Sequence, residues 1–555
     1  MIALVAAALL LAAPPAASPT LAPDIAAAQE SDPVLRALRD EMARVRALKM
    51  DRGEAPYFVE SSVDDIEWSD VWASFGAITY RSADVTRAIR VAMRVGSPAL
   101  DNTNFGPARP MFGWPAPREN NYDALRESLW LAYDRSYKDS LETLAHKQAW
   151  LKSNDVPDRP DDFGPAELTN VVLPAAKLVT DAGRWTRLVK QASTFFRDKD
   201  FVLTGDASFR ARAGTQWAAN SESLVQRYGA TWVQFTLSAT AQAPDGMMVE
   251  SHWEATGRTD ADMPKDDVFL KAARDASTRL DALTKAPVIP DDYNGPVLFT
   301  GGAAAQFFLA AIGDPLSHPN FSVGAPPAGN LVDRIERRIA SPLLTVRDDP
   351  TQRDWHGTPL LGFNPVDDDG VVPQPITLVA SGVLKTYYMS RVPTAHVKTS
   401  NGHSHNGVGG PGNIFVETSQ SLERAAMKKR LLDLVKDQGL AYGVWIEELN
   451  PSTSAGGNRF VPASEITLPR PRVTWRIFPD GREERVRVAG FKPMSFRVLE
   501  DIDALGNDTA AVNIITSQEL VSVISPSVLV NHLEIFKPKS EFETRPLIPR
   551  PPVKP

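Results

Sequence analysis

The sequence contains no cysteine. That excludes disulfides, thiolate nucleophiles, zinc ribbons and iron–sulfur clusters. No segment reaches the ~18 consecutive apolar residues that a transmembrane helix requires. His-Glu-x-x-His, Gly-x-Ser-x-Gly, a Walker phosphate loop and a dinucleotide fingerprint are all missing, which removes the mechanisms those motifs carry. Excess positive charge is also missing. Lys and Arg number 60 against 68 Asp and Glu, a net charge of −8. Nucleic-acid binders usually carry a basic face, so a nucleic-acid partner is not expected. No repeat of about 20–50 residues is visible.

What remains is an ordinary globular composition over 555 residues, 43% apolar and 23% charged. It excludes intrinsic disorder, collagen-like repeats and a multi-span membrane protein, and the length allows about two to four domains. The 45 prolines and the missing thiols fit an exported chain. Ile2–Ala13 is an apolar run of signal-peptide length, and Ala26–Ala28 offer small residues for cleavage before Gln29. One departure is that no Lys or Arg precedes the run. We expect a signal peptide over residues 1–28 and a periplasmic or extracellular location.

Asp32–Leu48 carries Leu35, Leu38, Met42, Val45 and Leu48 at helical spacing. Pro56–Val95 alternates like strands, and Asn121–Ser153 reads as a long amphipathic helix. Thr231–Gln242 and Met247–Trp253 read as strands around the Pro244-Asp245-Gly246 turn. Pro264–Lys285 is a predicted helix with Asp262 as its N-cap. The proline-rich stretch Pro287–Pro296 is the best domain boundary. Beyond it, hairpins are predicted around Ser381-Gly382 and Pro479-Asp480-Gly481, and a helix over Ser421–Gln438 stopped by Gly439. The expected fold is α+β, with a mixed domain over 29–290, a strand-rich antiparallel domain over 291–540 and a proline-rich tail over 541–555.

Thr399–Asn413 is the most unusual stretch, with five glycines in fifteen residues. Such backbone can approach a ligand closely. His403 and His405, with His396 upstream, could be imagined as a metal site, though a polar loop with locally bonded histidines is the plainer reading. Asp367-Asp368-Asp369-Gly370 lacks the spacing of a calcium loop and reads as a turn. His252 is expected to be structural, and Trp68 and Trp72 to serve core or interface.

Several segments resemble one family in order. They are Tyr57–Glu60, Asp292–Phe299, Ala303–Phe308, Asp369–Pro373, Leu378–Leu384, Ser390–Pro393, Ser400-Asn-Gly-His403 with Pro411–Asn413, and Ser525–Val530 with Leu533–Ile535. Together they resemble the TldD/PmbA family over most of residues 32–540. The resemblance implies zinc-peptidase chemistry in TldD-type members, carried by a His-Glu-x-x-x-His helix and a further Cys. It also implies PmbA-type (TldE) partners that lack those ligands. Here the corresponding helix, Gly301–Gly313, has neither His nor Glu, and the chain has no Cys. Zinc catalysis needs about three protein ligands and usually a carboxylate base. No catalytic or metal-binding residue is therefore assigned.

Only Asn401, Gly402, His403 and Asn413 are carried over, as candidate peptide-contact residues. The leading expectation is an exported non-catalytic subunit, a pseudoenzyme with no cofactor of its own. It would pair with a zinc-bearing TldD-type homologue, or with itself, around an extended peptide. Two alternatives stand beside it. One is an autonomous metallopeptidase with relocated ligands His396, His403 and His405 and an acid such as Glu417. The other is a homodimeric protein that binds peptides or cell-wall fragments.

Overall fold

A computed structural model of the chain describes residues 25–45, 54–106, 113–317, 322–324, 331–451, 465–516 and 520–538. Most of the expected leader and the proline-rich tail lie outside these residues. Residues 25–28, the end of the expected leader, belong to helix α1 (Ile25–Ser31), whose Ile25 and Ala28 pack against the first core.

The first half is one antiparallel sheet covered on one face by helices. Its helices are α2 (Pro33–Val45), α3 (Tyr122–Ser153), α4 (Ala182–Thr194) and α5 (Asp266–Lys285). Its main strands are β1 (Phe58–Ser74), β2 (Ala77–Arg94), β3 (Val202–Asn220), β4 (Val225–Gln242) and β5 (Met248–Gly257). They lie side by side in the order β2-β1-β3-β4-β5. Successive side chains alternate across a strand, so odd-numbered residues such as Val59, Val63, Val71, Phe209, Ala211 and Trp217 share a face. All six are buried. Helices α2 and α3 cover one end of that face, through Leu38, Leu129 and Tyr137. Helices α4 and α5 cover the other, through Trp185, Phe269 and Leu280. Trp185 lies parallel on Phe209 with ring centroids 4.0 Å apart, and its Nε1 donates to Asp260 at 3.0 Å.

The long hairpin and α3 follow the sequence pattern. Asn121 caps α3 by accepting from the Ala124 amide at 3.0 Å. Asp262 does not cap α5. Pro264 intervenes, the helix starts at Asp266, and Asp262 instead accepts from the Arg258 and Thr259 amides to close a separate 3-10 turn. Strand β3 and helix α4 were not expected. The buried alternation of β3 runs through small residues, Ala207, Ala211 and Ala213, and is broken by glycines. At Gly205 the glycine is required, because a Cβ there would sit 2.3 Å from the Phe196 Cβ.

Between Lys285 and Tyr293 the chain enters a second sheet system. Its strands are β6 (Tyr293–Phe299), β7 (Leu344–Asp348), β8 (Ile376–Ala380), β9 (Asn413–Thr418), β10 (Gly443–Leu449), β11 (Pro471–Ile477), β12 (Glu483–Val486), β13 (Ile502–Gly506), β14 (Ala510–Ile515), β15 (Leu520–Ser525) and β16 (Val528–Phe536). One sheet runs β13-β16-β6-β10-β11-β12 and the other β8-β7-β9-β15-β14, each extended by short strands. Both predicted hairpins form, with Gly382 and Gly481 at positive φ. The sheets are mostly antiparallel, but β6–β10 and β9–β15 are parallel, which the intervening long crossovers permit. Helix α6 (Gly301–Phe308) is sandwiched in the core between the two sheets, and α7 (Arg424–Asp437) packs its Met427, Leu431 and Leu434 on the far face of the first.

Replacing Trp185 by Ala removes the ring that joins α4 to the sheet. We expect a loss of about 3–5 kcal/mol of stability in urea or thermal denaturation, with Trp185→Phe costing less.

Candidate functional site at the seam of the two halves

The sequence reading centred on the glycine-rich loop. The structure makes that loop a short hairpin, Ser404–His405 against Val408–Gly409, anchored by the Asp367–Asp369 turn. Each aspartate holds a different element. Asp367 accepts from the Val371 amide at 2.7 Å and the Ser404 amide at 3.0 Å. Asp368 accepts from the Tyr228 hydroxyl at 2.5 Å and the Asn406 amide at 2.7 Å. Asp369 accepts from the Arg391 amide at 3.0 Å. The turn expected at Asp367–Gly370 is therefore present. Its carboxylates face inward, with Asp367 buried to 1% exposure.

The four candidate contact residues are committed to the protein's own backbone. Asn401 donates to the Tyr387 carbonyl and accepts from the Met389 amide, at 2.9 and 3.0 Å. Gly402 has φ +76°, and a Cβ there would lie 2.5 Å from the Pro373 Cα. His403 is buried, with Nδ1 3.1 Å from the Asn401 carbonyl and Nε2 3.5 Å from Asp348 Oδ1. Asn413 donates to the Asp349 and Gln352 carbonyls at 3.0 and 2.9 Å. These side chains build the loop. What the loop offers outward is its tip, where Asn406 accepts a hydrogen bond from Arg90 of β2.

The alternative ligand set does not converge. His396 pairs with Asp333 at 3.2 Å, His403 lies against Asp348, and Glu417 is held by Arg347 at 2.7 Å. Among the described residues no three His, Cys, Asp or Glu side chains are grouped to hold a metal ion. On α6, Ala303, Ala304, Ala305, Phe307 and Phe308 are all 0% exposed. Its one amide side chain, Gln306, has a buried Oε1 without a hydrogen-bond partner. These residues do not fit a zinc ion, which needs imidazole, thiolate or carboxylate donors.

The polar focus lies where β1 and β2 face the aspartate turn, and most of its residues were not singled out as chemical. Glu60 lies on the sheet face opposite the helices. Its carboxyl is pushed up to about 8 by burial and then by the charges of Asp369 and Asp368. Burial, followed by Asp369, also raises the Asp367 carboxyl well above the usual range. Arg391 crosses the seam. It pairs bidentately with Glu222 at 2.7 and 3.1 Å, donates to the Gly164 carbonyl at 3.1 Å and lies 4.1 Å from the Phe163 ring centroid. Arg94 stacks on the same ring at 4.0 Å and bonds Asp101 at 2.8 Å, which also accepts from Tyr57 at 2.7 Å. Lys147, fully buried, bonds Asp162 at 2.6 Å and extends the network into α3. The signal available in sequence was the family-like pieces themselves. Tyr57–Glu60, Asp369–Pro373 and Ser390–Pro393 all meet here.

His252 is buried in β5, 3.6 Å from Glu254. Trp72 is 43% exposed and Tyr80, opposite it in the register, 51% exposed. Neither belongs to a core. No helix among the described residues is long and apolar enough to cross a membrane.

With this geometry in place, the comparisons define the class. Residues 292–537 match the PmbA/TldA metallopeptidase C-terminal domain. Three solved structures share the fold. A protein from Thermotoga maritima described as a candidate modulator of DNA gyrase has 16% identity, a TM-score of 0.56, and 86% of this chain and 96% of its own aligned. TldE from Thermococcus kodakarensis has 11% identity and a TM-score of 0.56, with 90% of this chain and all 100% of its own covered. A candidate gyrase modulator from Bacteroides thetaiotaomicron has 12% identity, a TM-score of 0.57, and coverage of 90% and 98%. No curated protein matches the chain. The second half is thus a metallopeptidase-type C-terminal domain, joined to a sheet-and-helix first half as in those structures. Residues 292–537 carry the C-terminal domain of the TldD/PmbA family, and the chain as a whole shares the fold of the three structures.

Two outcomes test the seam. Arg391→Ala removes charged hydrogen bonds to Glu222, and a loss of about 2–3 kcal/mol is expected, with faster amide exchange around Gly164 and Asp369. For Glu60 the sign follows from proton uptake on folding. Between its ordinary value of 4.5 and about 8, the folded state holds a proton that the unfolded state has released. The stability so contributed is complete below pH about 4.5 and is lost as pH rises through about 8. Glu60→Gln should therefore raise the melting temperature more at pH 8.5 than at pH 5 (trial values ~8.5 and ~5, on either side of the window). An equal shift at both would contradict the assignment.

Proposed function

We propose that the chain is an exported, non-catalytic TldD/PmbA subunit that pairs with a zinc-bearing homologue in peptide proteolysis. One observation carries this reading. The helix that would bear the metal motif is Ala- and Phe-rich, and its Ala303, Ala304, Ala305, Phe307 and Phe308 are buried between two sheets. Installing ligands there would place imidazole or carboxylate in a packed apolar core, at a desolvation cost the site does nothing to offset. The match to a metallopeptidase domain type supports descent from the proteolytic architecture.

Pairing is supported by the β1–β2 hairpin, which turns Ile66, Trp72, Ile78 and Tyr80 to solvent at 37–51% exposure. Exposed apolar groups of this kind mark protein–protein contact more often than plain surface. The glycine-rich hairpin and its seam supply main-chain groups suited to an extended peptide. Export rests on the apolar leader and the absence of cysteine.

The test is zinc content and peptide cleavage of the purified chain, alone and mixed with a homologue carrying the intact motif. No stoichiometric zinc and no cleavage are expected alone, with cleavage in the mixture. Stoichiometric zinc with cleavage by the chain alone would overturn the reading. A stable self-pair that ignores the homologue in ultracentrifugation would favour the homodimeric binding protein instead.

A further inference from the structure

A second polar concavity lies on the seam and is built from different elements. It is a cavity of about 110 Å³ between β4, β5 and the end of α5 on one side and β10, β11 and the chain after β12 on the other. Its walls carry three arginines, Arg470, Arg472 and Arg487, against one acid, Glu250. Thr240 and Asn450 add neutral polar groups, and the remainder is apolar, including Met248, Leu283 and Val486.

The three arginines are not equivalent. Arg487 is fully engaged, bidentate to Asp245 at 2.7 and 2.8 Å and donating to the Ala286 carbonyl at 2.8 Å. It is a seam clamp. The Arg472 side chain is 7% exposed and touches Glu448 only through Nε, at 3.3 Å. Its Nη1 is buried and has no hydrogen-bond partner among the described residues. The other oxygen of Glu448 is taken by Arg279. Arg470, beside it on the rim, feels Glu250 through space. Among the described residues its guanidinium has no hydrogen bond or ion pair.

A buried guanidinium N–H without an acceptor costs free energy that an anion would recover. Burial lowers the affinity of Arg472 for its proton, as expected of a guanidinium short of counter-charge, while Arg470 is exposed beside it. Spherical polyanions suit such a place poorly, since the lining includes Leu283 and Val486 and carries the negative charge of Glu250. A carboxylate with a short apolar tail suits both parts. Its two oxygens match the planar fork of a guanidinium, and its tail would cover the Met and Leu side chains.

We propose that this cavity binds the carboxylate of a small apolar-tailed acid, held by Arg472 and Arg470. Two sources share that chemistry, the C-terminal residue of a peptide and a free short-chain aliphatic acid. The proposal does not depend on whether the chain has a zinc-bearing partner.

Calorimetric titration tests it with four probes, N-acetyl-leucine, N-acetyl-leucinamide, isocaproate and inorganic phosphate. For a ligand of this size a Kd on the order of 1 mM is expected for N-acetyl-leucine. The neutral amide should bind at least about 10-fold more weakly, the value of one charged hydrogen bond. Arg470→Met, whose head is at the rim and whose loss should not disturb folding, should weaken the acid by about 10-fold or more, as should Arg472→Met. Glu250→Gln should tighten it, since a like charge is removed. Isocaproate binding as well as N-acetyl-leucine assigns the site to free acids, whereas clear preference for N-acetyl-leucine assigns it to peptide ends. The proposal fails if acid and amide bind alike, if phosphate outcompetes both, if no probe binds, or if folded Arg470→Met binds as the parent does.

Discussion

Arg391 holds the molecule together in the sense that matters for function. Its guanidinium leaves the second half, lies on Phe163, and reaches Glu222 and the Gly164 carbonyl of the first. Its amide fixes Asp369, whose turn in turn fixes the glycine-rich hairpin. A buried cation demands partners on every side. Satisfying it forces the sheet of the first half, the aspartate turn and the loop into one register. The perturbed acids follow from that closure: once the seam shuts, burial and mutual repulsion raise the carboxyls of Glu60 and Asp367, and burial raises that of Asp369.

The second organising fact is the nature of α6. A helix of Ala and Phe between two sheets is a packing device. Small residues let the sheets approach, and the stacked pair Phe299–Phe307, with centroids 5.2 Å apart, fills the space beside them. Its Ala and Phe side chains are given wholly to the hydrophobic core. The polar chemistry of the chain lies at the seam, where Glu60, Arg94, Arg391 and the aspartate turn meet on one face of the long hairpin.

Much of the scaffold was legible in the residue pattern. The α3 stripe, the β1–β2 alternation and the glycine-bearing hairpin turns are local, and local periodicity carries them. Strand β3 was illegible because alanine and glycine bury well without being strongly hydrophobic. Asp262 misled because a capping residue and a turn residue look alike until Pro264 separates them. The candidate loop was recognisable, yet the Asn401 amide, His403 Nδ1 and Asn413 Nδ2 bond to backbone groups. Polarity in a glycine-rich stretch signals both ligand contact and loop construction, and spacing cannot tell the two apart.

By itself, then, the sequence determined what chemistry was impossible: no thiolate, no motif helix with metal donors, no membrane-length apolar run, each a matter of which atoms exist. It also determined the local elements, since those depend on neighbours a few residues apart. Only the tertiary structure decided where the charges went. Glu60 and Asp369 are 309 positions apart in the chain, and Arg391 and Glu222 are 169 apart. The Glu60 and Asp369 carboxyls are pushed up, with burial the first cause, and Arg391 finds its carboxylate partner, only once the two halves close on each other.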